Sequence, residues 1–307
     1  MSLGDELGVV LDALRSRQLL TGLGWGLAAT AVLAFVVARR RHERPVGAGG
    51  LAVAVAGVAG LASAISLPWV LVTGLVLLGL GGLAADRAGS PVLVRTGLAL
   101  PGAIVLALDP NLPSSPAERM VAAGAVVAGG ALVASFDARW PRLGPGLFVL
   151  SALGVWAVVA ETGPVLVVAG AAAPVAVLAG PLGRVTLGRT GAVVATGLLV
   201  WAAATGAVFG LGSLLGALGT LGLLAVEPLV RAISGRRHSP LDAVPPGWRP
   251  VVAGAVHLVM VLVSARVAGL RRDPGPAAAI LAVTFVVVFC LGLAAVAVAA
   301  RRATTND

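Results

Sequence analysis

TGAVVATGLLVWAAATGAVFGLGSLLGALGTLGLLAV, residues 190–226, contains no charged side chain. As one α-helix rising 1.5 Å per residue it would be about 55 Å long, against about 30 Å for the hydrocarbon core of a bilayer. A stretch of this kind rests where water is absent and the backbone bonds to itself, and it is too long for one crossing. It reads as two spans turning near Gly210-Leu211-Gly212. Residues 48–85 repeat the pattern without a charge and break at Ser66-Leu67-Pro68-Trp69, with Trp69 suited to the interface.

The rest of the chain follows. Further apolar runs lie at 19–38, 93–108, 120–136, 146–160, 164–182, 250–269 and 276–300. The expected fold is an all-α polytopic transmembrane bundle of about eleven spans. Of the 307 residues, 58% are hydrophobic and only 11% charged, where a soluble domain carries about 25% charged residues. The expected organisation is an amphipathic interfacial segment over 1–18, a single membrane domain over 19–302, and a short tail over 303–307. In the first segment Leu3, Leu7, Val10 and Leu14 share one helical face. The following run is too long for a signal-peptide core and ends in Arg39-Arg40-Arg41, so it reads as a retained span.

Charge sets orientation. The net charge is +9, and the 22 basic residues are all arginine. With the N-terminus outside, sixteen of them fall on inner segments and six on outer ones. That asymmetry predicts an N-out, C-in protein, because cytoplasmic loops retain the excess of basic residues. Arg271-Arg272 runs against it. The Ala-, Gly- and Val-rich composition suggests a bacterial plasma membrane. Nucleic-acid binding is set aside, since the arginines are spaced between apolar runs rather than gathered into a basic surface.

No catalytic motif is present. The chain has no lysine for a phosphate-binding loop, no HExxH, and no aspartate-rich cluster for magnesium-pyrophosphate chemistry. The single cysteine, Cys290, allows neither an intrachain disulfide nor a thiolate metal site. No cofactor and no metal are expected, and Asp109, Glu118 and Glu161 lack ligand spacing. Asp86-Arg87 and Asp137-Ala138-Arg139 read as self-neutralising pairs at span ends.

Candidate substrate-binding residues are few. His257 lies at membrane depth, where ionisable groups are costly and often functional. Ser264 is two turns on along the same face. Pro101 and Pro174 interrupt apolar spans in similar contexts, GLALPGAIV (97–105) and GAAAPVAVL (170–178). Proline-interrupted helices in inverted repeats form binding sites in many transporters. The basic loop 227–249 offers Arg231, Arg236, Arg237 and Arg249 for an anionic headgroup. Gly22 and Gly26 have the spacing that lets membrane helices approach closely. The expected function is that of a permease for a small molecule or lipid. The rival expectations are a non-catalytic subunit of a cell-envelope complex, held by a membrane-protein partner, and a membrane enzyme acting on a lipid-linked anion.

Overall fold

The computed structural model describes residues 16–39, 47–65, 67–87, 92–112, 115–159, 163–179, 185–206, 216–234 and 239–269. The expected N-terminal amphipathic segment (apart from its last residues), the eleventh span, the C-terminal tail, Arg236, Arg237, Glu161 and Cys290 lie outside them.

Among the described residues the fold is all-helical. The helices are α1 (Arg17–Arg39), α2 (Gly49–Ala64), α3 (Trp69–Arg87), α4 (Val92–Ala107), α5 (Pro116–Arg139), α6 (Gly144–Val158), α7 (Gly163–Ala179), α8 (Arg189–Gly206), α9 (Gly222–Ser234) and α10 (Arg249–Gly269). A short 3-10 helix, Pro240–Ala243, precedes α10. Three helices, α1, α3 and α5, are long and apolar enough to cross a membrane. Helices α2, α4, α6, α7, α8 and α10 are apolar over shorter runs of 10–17 residues. Among the described residues these three do not confirm the eleven crossings expected from the sequence.

The uncharged stretch 190–226 shows where the expectation departs from the fold. Its first half is α8, but its second half is no continuous span. A helical turn over 216–219 ends in short turn bonds, Thr220 N–H to Ala217 O and Leu221 N–H to Leu218 O. Gly222 then takes φ +45°, which favours glycine and breaks helical continuity. Helix α9 starts there and continues through Glu227 and Arg231, residues expected in a loop.

Close approaches fix the helix directions. Gly22 meets Val167 and Gly26 meets Ala171, so α1 and α7 run parallel. Gly50 meets Gly191 and Gly57 meets Leu198, so α2 and α8 run parallel, whereas Gly74 and Gly81 meet Leu106 and Leu98 across an antiparallel α3–α4 pair. Gly82 meets Thr190 and Gly130 meets Val193, while Gly197 meets Leu78 and Val126, so α3 and α5 both run antiparallel to α8. Ser151 with His257, and Gly154 with Val261, make α6 and α10 parallel. Gly49 and Gly60 meet Val175 and Val167, so α2 and α7 are antiparallel; Leu221 and Arg231 meet Gly129 and Ser135, so α9 is parallel to α5; and His257 and Ser264 meet Gly222 and Gly219, so α10 is antiparallel to α9. Each successive described helix therefore reverses. One end of the bundle collects Arg39, Arg87, Arg139, Arg142, Arg189, Arg231 and Arg249, and the other has Arg17, Arg119 and Arg266.

The interior is an apolar core, and much of the outer surface is apolar as well. Leu27, Val32 and Phe35 of α1, Val76 and Leu80 of α3, Ile104 of α4, and Val259 and Leu262 of α10 are exposed. Asp109, Asp137, Ser151, Thr196, Glu227 and His257 are buried. Extended apolar surfaces of this kind mark contact with a membrane or another protein.

Candidate functional site: an arginine-rimmed cavity

A cavity of about 300 Å³ opens where α3, α4, α5, α8 and α9 meet. Its polar lining is Asp86, Ser135, Arg139, Arg189, Thr190 and Arg231, and its apolar lining is mainly Gly82, Ala85, Ala99, Val127, Ala131, Ala134 and Val193. The two sets are segregated by depth. Asp86 and Arg139 stand at the C-terminal ends of α3 and α5, and Arg189 and Thr190 begin α8. Val127 lies three turns deeper on α5, about 18 Å from Arg139 along the helix axis. The walls are alanine, glycine and valine, so the volume exists because these side chains are too small to close it.

The rim is organised by hydrogen bonds. Thr190 Oγ1 donates to Asp86 Oδ2 at 2.7 Å, and Arg231 donates to Ser135 Oγ at 2.8 Å. Arg139 pairs with Asp242 at 2.7 Å. Three arginines, Arg139, Arg189 and Arg231, gather at the rim with Asp86, and Arg139 is paired with Asp242. Asp137 does not neutralise Arg139 in the way the sequence suggested. It is buried, and its carboxylate accepts the Leu187 and Gly188 N–H groups at 3.2 and 2.9 Å, fixing the chain just before α8. From the other side, Thr186 and Leu187 carbonyls accept the N–H groups of Gly49 and Gly50 at the start of α2.

A strap closes beside the rim. Ser239 and Asp242 form a capping box, with Ser239 N–H donating to Asp242 Oδ2 at 2.7 Å. Arg249 donates to the carbonyls of Val244 and Asp242 at 2.8 and 3.3 Å. The guanidiniums of Arg139 and Arg249 stand 5.8 and 5.3 Å from the Trp140 ring. Partial burial of Asp242 opposes its ionisation, but the Ser239 N–H and Arg139 outweigh it and hold the carboxyl below its ordinary 3.8. The strap's electrostatic stabilisation is thus present above pH 3.8 and is lost as pH falls through the lower folded value. Asp242→Asn is expected to speed proteolysis within 239–248 at pH 7, with the two proteins converging in strongly acidic buffer. Equal cleavage at pH 7 would contradict this role.

The residues singled out by sequence are dispersed. His257 is fully buried in the seam of α6, α9 and α10. Leu223 N–H donates to its Nδ1 at 3.2 Å, which leaves the ring proton on Nε2, 3.1 Å from Ser151 Oγ. Both ring nitrogens are engaged by protein, and the ring does not line the cavity. Ser264 packs on Gly219, where a Cβ would meet its Oγ at 2.7 Å. His257 and Ser264 therefore both face the broken segment before α9. Pro101 and Pro174 sit inside α4 and α7, which continue past them, and neither lines the cavity. Of the described loop arginines, Arg231 reaches the cavity and Arg249 serves the strap.

In the sequence nothing marks Arg139 and Arg189 as ligand-holding groups, because arginines at span ends carry topology wherever they occur. Glu227 falls in the expected loop. Glu227 is buried one turn before Arg231 on α9, with neither carboxylate oxygen hydrogen-bonded to a described residue. The spacing Glu227 to Arg231, four residues after an apolar run, was the available signal. Asp109, expected on an outer turn, is fully buried. It accepts Trp201 Nε1–H at 2.8 Å and the Asn111 backbone and side-chain N–H groups at 2.8 and 2.9 Å. No group of three or more potential metal-ligating side chains occurs among the described residues.

No family model matches this sequence, no curated protein matches it, and no solved structure matches its fold.

Proposed function

We propose that this chain is a multi-pass integral membrane protein of the permease type, taking a small anionic substrate from the arginine-bearing face of its bundle. The observation that carries the reading is the cavity itself, with an arginine rim at one end of the bundle and an apolar interior reaching inward. Cavities of this size with a few convergent polar groups are the usual form of a small-molecule site.

The alternating helix directions support the membrane placement. They gather arginine at one end, which the positive-inside rule assigns to the cytoplasm of a bacterial plasma membrane, with the N-terminus outside. The exposed apolar faces of α1, α3, α4 and α10 meet lipid. Helices shorter than the hydrocarbon core are accommodated by local thinning and by neighbouring helices. The partners are the bilayer and the substrate.

The test is uptake into proteoliposomes containing the full chain, with a panel of anions offered both free and lipid-linked. Protein-dependent movement of at least one is expected. The Arg189→Ala/Arg231→Ala double variant is expected to lower its rate at least about tenfold, the loss of roughly one charge-assisted hydrogen bond. If no anion moves, or the double variant keeps the full rate, the permease reading fails.

A further inference from the structure

Resting on that reading, we infer that the cavity's substrate is an amphiphile, a phosphate monoester head carried on a single alkyl chain. The depth profile argues for it. A free phosphate needs polar partners on every side, and below Ser135 the walls formed by Ala99, Val127, Ala131, Ala134 and Val193 offer none. Drying those walls around a bare anion is costly, whereas an alkyl chain gains from the same surface. An uncharged lipid would bring no anion to the arginine rim. An anion at the rim with a chain extending inward satisfies both parts at once.

The head chemistry follows from how the arginines arrive. Arg139, Arg189 and Arg231 come from three helices, α5, α8 and α9. A planar carboxylate presents two oxygens in one plane and suits one bidentate guanidinium, but a phosphate monoester presents three oxygens around a tetrahedral centre.

Volume sets the tail. A cavity of about 300 Å³ stands at the small end of the range of about 300–1,000 Å³ for ligand sites. That accommodates a phosphate ester and the first part of one chain, so the remainder of a longer chain would leave between helices into the bilayer. The alanine and glycine walls make the width, and enlarging one of them shortens the space available to the chain.

The experiment measures binding by the full chain in uncharged detergent, read as stabilisation against thermal unfolding. The ligands are decyl phosphate, inorganic phosphate and decyl glycerol. Decyl phosphate is expected to half-saturate at a concentration at least about tenfold below inorganic phosphate, with decyl glycerol giving no stabilisation. Arg189→Ala is expected to weaken decyl phosphate at least about tenfold, and Ala131→Leu to weaken decyl phosphate more than inorganic phosphate. Should either variant fail to fold, the three-ligand comparison on the unaltered protein decides alone. Inorganic phosphate binding as tightly as decyl phosphate would make this a free-anion site and overturn the amphiphile while leaving the permease reading intact. Decyl glycerol matching decyl phosphate would overturn the role of the rim. Decyl phosphate binding without transport of any anion would retain the site and remove the permease.

Discussion

Gly170→Leu is expected to abolish recovery of folded protein, or to cost well over 3 kcal/mol, the upper part of the range for overpacking. A Cβ at Gly170 would stand 2.5 Å from Leu19 O and 2.8 Å from Leu23 N. Both are backbone atoms of α1, so no side-chain rotation relieves the clash. Gly22 and Gly26 of α1 face α7 in the same way, against the backbone of Val167 and Ala171. The two parallel helices therefore touch backbone to backbone along this crossing, and a leucine at its centre separates them along their length. Dispersion between closely approaching helices is a main source of cohesion when the solvent is lipid. Gly24→Leu is the control, since a Cβ there meets nothing within 4 Å. Its effect should be near zero. Denaturant unfolding and size-exclusion profiles in detergent distinguish the two, and equal stability of Gly170→Leu and Gly24→Leu would refute the crossing.

The sequence carried the helical class because charge-free runs longer than a bilayer is thick leave no other solution for the backbone. It also carried the turn between α2 and α3, where Pro68 cannot continue α2 and Trp69 opens α3. What it could not carry depends on pairings distant along the chain. The break at Gly222 was invisible, because one glycine with positive φ looks like its many neighbours until Leu223 N–H is found on His257. Asp109 looked like a solvated turn residue because its main partner, Trp201, is 92 residues away. The cavity was hidden for a related reason. Its apolar walls are alanine, glycine and valine, which abound throughout the chain, and its arginines carry the same marks as any topological arginine. The depth gradient between rim and wall appears only when five helices are brought together.

His257 gives the second large expected effect, and it bears on where the substrate is. His257→Ala should lower stability by about 3–5 kcal/mol, the range for removing a large buried ring. The loss has two sources. The vacated space sits among α6, α9 and α10, and the deletion leaves Ser151 Oγ and Leu223 N–H without their partner, each a buried polar group costing about 1–3 kcal/mol. His257→Phe fills much of the space but satisfies neither group, so it should remain strongly destabilised. His257→Gln keeps one donor and one acceptor on a flexible stem and should recover part of the loss. The imidazole is thus the fixture that receives the first turn of α9 after the break at Gly222, and α9 in turn carries Arg231 to the cavity. On the proposed permease reading, a folded His257→Gln protein should move the substrate with an unchanged KM, since the ring stands apart from the cavity lining. Unfolding measurements and flux on the same preparations test both halves. A large change in KM with stability intact would place the substrate at His257 and remove it from the arginine-rimmed cavity.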